Sequence, residues 1–561
     1  MNKTRFMITV AAAFLLSATV FADNAEQKER SAGYVTGSFE TNTNVYQEDL
    51  KTNATVPDGK FGSNNYLKVD YYNSKFSAGL QLEAYTPVNV GYPSILEKAA
   101  LTNYYVGWKD KDFSVTAGTF YEQFGSGLLF RSWEDRALGI NNAIMGARVA
   151  YNFQDIVTVK AFWGIPRFLM SLKDQGDSPF SQIQTNLKGA DLSFSLSNLL
   201  GWNSLFLAME GSVLHRYEKL PVKMEAENLN PNSIGYSARV NAEIDGFYFR
   251  GEYVNSGDKY FENPLALDPE YYDEAPFVAK KGNAQLIETG YTRRGLGVSL
   301  SLRRLEWMGL KASELFGTDL KDINMMNYVP ALSTQYTYML TNLHPYGAQT
   351  GECDLRYTNS GEIGGQLDVF YNFRRGTVLG GKRGMKVHAN LSTYYAIAQE
   401  GTFKFGNMLF RDISVDVERQ WTKEFKSVLM WSMQEYNTSY GANKNTRLQN
   451  IVVADLLYKY TPSFSTRLEL QYLVTHEDQK DWMAALLEVS FAPSWSIYAS
   501  DMYNHGSTKL HYYNAGVSYS KSRTRVALGY GRFKDGKICS GGVCRTVPAY
   551  TGFNLTLTTS F

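Results

Sequence analysis

Cysteine, net charge and long apolar runs are all scarce in this 561-residue chain. Its 3 Cys are too few to build a disulfide scaffold, and they are not spaced like a zinc site. Lys+Arg number 56 against 55 Asp+Glu, a formal net charge of +1. A nucleic-acid binder needs a basic surface to displace counterions, so no nucleic-acid partner is expected. Beyond the N-terminus no uncharged apolar stretch reaches the roughly 20 residues of a spanning helix. Phosphate-loop, HExxH and calcium-loop signatures are missing too. The histidines (215, 344, 388, 476, 505 and 511) are scattered. Asn504, His505 and Ser507 crowd one short loop, where a base, a nucleophile and an orienting group cannot take up triad geometry. The expectation is therefore no enzyme, no cofactor and no metal.

Aromatic residues are what the chain has in excess: 14 %, with 39 Tyr, in a chain that is 44 % hydrophobic. That composition is not that of a disordered chain. The N-terminus has the three parts of an export signal. Lys3 and Arg5 are its positive region, Met7 to Leu16 its apolar core, and Val20 and Ala22 its small residues ahead of Asp23. This predicts a signal peptide over 1–22, cleaved between Ala22 and Asp23. A polar leader follows over 23–32, too short for a plug domain.

From residue 33 to 561 the pattern is one of alternation. Phe76, Ala78, Leu80, Leu82 and Ala84 fall on one side of a strand; Ser77, Gly79, Gln81 and Glu83 fall on the other. Period two recurs in about 24 segments of roughly ten residues, the length at which a tilted strand crosses a bilayer. Connections alternate between short (Asn73–Lys75, Asp245–Gly246, Ala492–Ser494) and long (Thr41–Ser63, Glu122–Asn142, Gly257–Gly282, Met308–Ser360). Tyr550–Phe561 ends in an aromatic, with Phe553, Leu555 and Leu557 on the same face. The predicted fold is an all-β, antiparallel up-and-down transmembrane barrel of about 24 strands, with 18 to 26 compatible. Its short turns are expected in the periplasm and its long loops outside the cell. The location is the outer membrane, in contact with lipid and lipopolysaccharide, and the strand ending at Phe561 would be read by the barrel-assembly machinery.

Two sequence runs carry a resemblance. GTFYEQFGSGLLFRSWEDRALGINNAIMG (Gly118–Gly146) and the tail KICSGGVCRTVPAY, with a last strand ending TTSF, resemble an uncharacterised family of exported outer-membrane β-barrel proteins of Gram-negative bacteria. The likeness covers essentially the whole mature chain. It implies fold and location, and brings no activity with it.

Strand parity assigns a lumen lining: Arg148, Lys160, Arg239, Glu243, Arg250, Glu252, Arg303, Asp416, Glu418, Arg467 and Glu469. The signs are mixed. An anion pore favours a basic ladder and a cation pore an acidic ring, so crossing ion pairs are expected here. After the fifth strand, Phe124-Gly125-Ser126-Gly127 is permissive backbone followed by Arg131, Glu134, Asp135 and Arg136. Those charges suit either a pore constriction or a network that pins the loop to the wall. The longest connection, Met308–Ser360, holds Leu315, Phe316, Met325, Met326, Val329, Leu332 and Leu340. That is too much apolar surface for a free loop in water, so it should fold into or over the lumen. Cys539 and Cys544 flank a Gly pair in an outward loop, where an oxidising compartment favours a disulfide. Function is expected to be a channel or transporter for a small or amphiphilic solute. The alternative is a non-enzymatic partner or surface component of an assembly, secretion or adhesion complex, with an unknown partner protein.

Overall fold

In the computed structural model the described residues are 33–167, 180, 184–220, 222–263, 276–313, 325–353, 358–477, 479–540 and 543–561. The predicted signal peptide and leader lie outside them, as do Leu315 and Phe316.

A single sheet of 24 antiparallel strands closes on itself. Each barrel strand pairs with the next along the chain, and the first (Tyr34–Gln47) pairs with the last (Tyr550–Ser560) from Ser38↔Ser560 to Gln47↔Thr551. Closure leaves no open edge. The pairings of Phe113–Phe120 with Ile144–Phe153 and of Leu296–Glu306 with Gly361–Phe373 bridge the two longest inward loops.

The barrel is inside-out relative to a water-soluble protein. In Phe464–Val474 the exposed side chains are Leu468, Leu470, Tyr472 and Val474, whereas Glu469 and Gln471 are buried. Asn232–Ile244 repeats this, with Ile234 58 % exposed and Arg239 7 %. An outward apolar band on a closed barrel is stable only where lipid covers it. No described helix is long and apolar enough to cross a membrane; the strands do so. At the short-turn end a chain of outward rings marks the interface. Phe425 meets Tyr458 at 6.4 Å, Tyr458 meets Tyr460 at 4.7 Å, Tyr460 meets Phe464 at 5.0 Å, and Phe464 meets Phe491 at 5.2 Å. Aromatic girdles of this kind sit at headgroup level. The chain is an integral outer-membrane protein.

Two long loops are shorter than the sequence suggests. The first strand runs to Gln47 and the second starts at Phe61, rather than breaking at Thr41 and Ser63. Gly257 and Gly282 do not open a loop either; pairing continues to Glu262↔Phe277 past a register shift between Asn255 and Gly257. Gly257 has φ +74°, and the extra residue is absorbed as a bulge. Gly257 thus bends a strand rather than ending it. The last outward loop also has its own order: Gly536–Ser540 and Val543–Val547 form a hairpin in which Cys539 stands opposite Cys544. Cys544 is disulfide-bonded.

Candidate functional site inside the barrel

The polar inner face is a lattice of ion pairs. Arg148 and Lys160, from adjacent strands, converge on Glu122, with the lysine at 3.6 Å. Arg239 bridges Asp191 and Glu210, the latter at 2.8 Å. Arg303 pairs with Glu362 at 2.6 Å, donates to the Pro330 carbonyl at 2.7 Å, and lies 4.7 Å over Tyr394. Glu418 takes Lys426 at 3.0 Å and Lys386 at 3.5 Å; Arg467 takes Asp455 at 2.9 Å and Glu469 at 2.7 Å. Arg250 and Glu243 make a looser, half-exposed contact at 3.6 Å. Glu252 accepts the Ser126 amide at 3.3 Å. Under Gly125 and Ser126, towards the short-turn end, a cavity of about 300 Å³ is lined by Glu210, Arg239, Asn241, Arg250, Glu252 and Glu288.

The four charges of the loop after the fifth strand do not form one cluster. Arg136 joins Glu134 at 2.9 Å and Glu40 of the first strand at 2.7 Å, with its guanidinium 4.4 Å from the Tyr66 ring. Burial opposes that charge, but the two carboxylates outweigh it and raise the pKa. Glu134 also accepts from Gln81 at 3.0 Å. Asp135 turns inward on its own loop and accepts the Leu138 amide at 3.0 Å. Arg131 is sandwiched between Trp133 and Tyr328, 4.7 Å from each ring. Tyr328 belongs to the longest loop, so this stack ties the two inward loops together. Backbone bonds add to it: Arg131 N donates to Met326 O at 2.9 Å, and Tyr328 N to Gly127 O at 2.9 Å.

The described part of the longest loop runs along the inner wall. Met308, Met326 and Val329 share an apolar cluster with Phe124, Leu128 and Phe130 of the other loop. Leu332 packs on Tyr394, Leu409 and Phe410. Tyr338, Leu340 and Leu343 pack on Met430, Ile451, Leu473 and Trp482. Between the last two contacts the loop is held by polar bonds. Ser333 donates to Asp412 at 2.7 Å, Thr334 to Asp368 at 3.2 Å, and Tyr336 to Asp416 at 3.0 Å. His388 stands between Asp416, at 2.7 Å from Nδ1, and Asp368, at 2.6 Å from Nε2. Burial, reinforced by the Asp455 and Glu469 charges, pushes the Tyr338 phenol up to about 12.

Some of these partners escape a reading by sequence alone. Arg167 makes a two-pronged pair with Glu83, both bonds 2.8 Å, yet it sits in a loop where no period singles it out. His388 shares the polar parity of Lys386 and Asn390, so its inward aspect was readable; its bridging of two carboxylates was not. Among the described residues no cluster of His, Cys, Asp or Glu is arranged to hold a metal ion.

The profile described as "Family of unknown function (DUF6029)" matches residues 1–561. No curated protein matches the sequence. Among solved structures, the chain is similar to the siderophore receptor PirA from Pseudomonas aeruginosa at 10 % identity and TM-score 0.41, covering 95 % of this chain and 82 % of that one. It is similar to the copper transporter OprC at 10 % identity and TM-score 0.40, covering 96 % and 81 %. An E. coli P pilus tip assembly intermediate (PapC-PapD-PapK-PapG) gives 8 % identity and TM-score 0.48, covering 96 % and 62 %. At such identities the likeness concerns barrel form and says nothing of cargo.

Proposed function

Taking as premise that the chain belongs to that family of unknown function, we propose that it is an outer-membrane channel or transporter for a small or amphiphilic solute, with its two inward loops as the barrier. The observation that carries this is the attachment of residues 333–336. Ser333, Thr334 and Tyr336 are held to the wall by side-chain hydrogen bonds to Asp412, Asp368 and Asp416. A hydrogen bond to a carboxylate contributes about 1.5–3 kcal/mol net, and those to the part-exposed Asp368 and Asp416 exchange with water more readily than an apolar contact would. A loop built purely to strengthen the barrel gains more from apolar packing. Lumen width grows with strand number, so a 24-stranded wall needs such a barrier to remain selective. The mixed charges of the cavity beneath Gly125 suit a polar or zwitterionic passenger better than a simple anion.

Excision of residues 333–347, with a short glycine linker in their place, tests the reading in planar bilayers. Conductance should rise severalfold, and cells should admit large antibiotics. Unchanged conductance in a correctly folded variant overturns it.

A further inference from the structure

Most of the barrel's short-turn end is plain. The turns 74–75, 110–112, 154–156, 245–246 and 492–494 are minimal. Their charges are sparse or of mixed sign, as in Asp110-Lys111-Asp112. Residues 374–384 depart from this on both counts. They carry Arg374, Arg375, Lys382 and Arg383 and no acidic residue.

The loop is built rather than slack. Gly376 N donates to Gly381 O at 2.7 Å, Gly381 N to Thr377 O at 2.8 Å, and Gly384 N to Gly380 O at 2.7 Å. Gly381, with φ +56°, takes a left-handed turn that a side chain would strain. This framework presents Val378, 98 % exposed, and Leu379, 52 % exposed, at its tip. The loop thus holds a small apolar tip in solvent among its cations.

Strand pairing sets its neighbours. Leu296–Glu306 pairs with Gly361–Phe373, and Met385–Ile397 with Phe405–Gln420. The turn bearing Arg293 and Arg294 therefore lies on one side, and the turn bearing Arg419, Trp421 and Lys423 on the other. Arg419 lies 4.3 Å over the half-exposed Trp421 ring. Among the described residues none of the cations named for these three turns forms an ion pair. Two acids fall on the arc, Glu424 and Glu418, and the second is already held by Lys426 and Lys386. In a chain of net charge +1 this concentration is not a by-product of composition.

We propose that the 374–384 loop and its two flanking turns form a docking surface for an acidic, extended segment of a periplasmic partner protein, whose apolar side chains pack on Val378 and Leu379. Charge complementarity picks the partner's chemistry. Anionic lipid is the lesser candidate, because the bilayer surrounds the barrel evenly whereas these cations occupy one arc. Each hairpin step covers about 10 Å of circumference, so three turns span roughly 20 Å, the reach of about six extended residues.

The test uses the full chain in zwitterionic phosphatidylcholine nanodiscs. The probe is a fluorescein-labelled peptide of about eight residues, glutamates flanking a central pair of leucines, followed by anisotropy. It should bind the wild type and weaken at least tenfold with Arg374→Glu, Arg375→Glu, Lys382→Glu and Arg383→Glu combined. It should also weaken in about 1 M salt, where the screening length falls to ~3 Å. Val378→Ser with Leu379→Ser should cost severalfold. Lys521→Glu with Arg525→Glu, on another arc, should change nothing. Absent binding to the wild type, equal binding to the four-charge variant, or equal loss in the other-arc control overturns the proposal. So does a lipid result: quenching of Trp421 by brominated phosphatidylglycerol in the wild type but not in the four-charge variant, with no peptide bound. Heat-modifiable gel mobility verifies that each variant is a folded barrel.

Discussion

The two inward loops are held by different chemistry. Around residues 121–143 the deepest anchor is dry, although Arg136 and its partners Glu134 and Glu40 are 20–35 % exposed. Glu83 and Arg167 have side chains 1 % and 2 % exposed, and Asn141, Thr102, Gln81 and Tyr85 also donate to Glu83 at 2.9, 3.0, 3.1 and 3.1 Å. Phe124, Leu128 and Phe130 pack into the apolar cluster beside them. Around residues 333–336 the anchors are mixed: Asp412 is 1 % exposed, whereas His388 is at 21 % and Asp368 at 27 %. The same wall thus offers a fixed ledge on one side and a releasable latch on the other. Burial decides which is which. A dry ion pair cannot separate without stranding a charge, while a hydrated one trades its partner for water.

The largest effect tests the ledge. Arg167→Ala leaves Glu83 buried without its counter-ion, and breaking a buried pair from one side costs about 3–5 kcal/mol. The folded band in heat-modifiability gels should convert at a clearly lower temperature. Removing both charges with Arg167→Met and Glu83→Leu should recover much of that loss, because the desolvation penalty goes with them. If the single variant melts with the wild type, the contrast between ledge and latch is broken.

Tyr336→Phe tests the latch. It deletes the hydroxyl that reaches Asp416 and leaves the ring packed, so about 1.5–3 kcal/mol of local attachment is lost. Thermal stability should hardly move, while channel openings in bilayers become several times more frequent. Openings at the wild-type rate would show that the loop is not released there.

Legibility divides along a related line. Parity alone placed Glu469 and Arg239 inside and Leu470 and Ile234 outside, because a closed barrel in lipid leaves each strand one wet and one oily face. Connection lengths told the two ends apart. Gly257 failed as a loop marker because a left-handed glycine serves a bulge as well as a turn. Parity names residues for the inner face and not their partnerships. Arg303 was assigned to the lumen; that it would hold Glu362 and the carbonyl of Pro330 depends on how the loop returns. Contacts between segments far apart in sequence are set by tertiary packing, which no local period encodes.

The barrel seam gives a smaller, pH-dependent effect. Asp49 binds Arg532 at 2.6 Å and Thr551 at 2.9 Å, joining the first long loop to the last two strands. Burial alone would raise its pKa, but the hydrogen bonds from Arg532, Thr551 and the Lys51 amide, with the Arg532 charge, hold it below the ordinary value. A depressed carboxyl contributes stability above its unfolded pKa of about 3.9, and that share is lost as pH falls through the lower folded value. Asp49→Asn should therefore lower the melting temperature at pH 6 and converge on the wild type near pH 2. A constant offset across that range would rule out the carboxylate as the source.

The smallest expected effect lies in the outward hairpin, which touches the first inward loop where Arg545 donates to Ala137 O at 3.0 Å. Cys544 is disulfide-bonded and stands opposite Cys539 in the hairpin register, and we propose that the two form the bond. Cross-linking stabilises mainly by limiting the unfolded chain, and its contribution grows with the length of the ring it closes. A ring this short falls at the low end of the roughly 0–5 kcal/mol range. Cys544→Ser should leave the melting temperature nearly unchanged and loosen only the 536–547 hairpin, read as increased local proteolysis. Thiol labelling of intact cells with a membrane-impermeant maleimide checks the bond and its sidedness together. Label should reach positions 539 and 544 only after reduction, and without breaching the outer membrane. Labelling before reduction removes the disulfide. Labelling that needs a permeabilised membrane places this hairpin, and with it every long loop, in the periplasm; the basic arc at the opposite end would then face the medium.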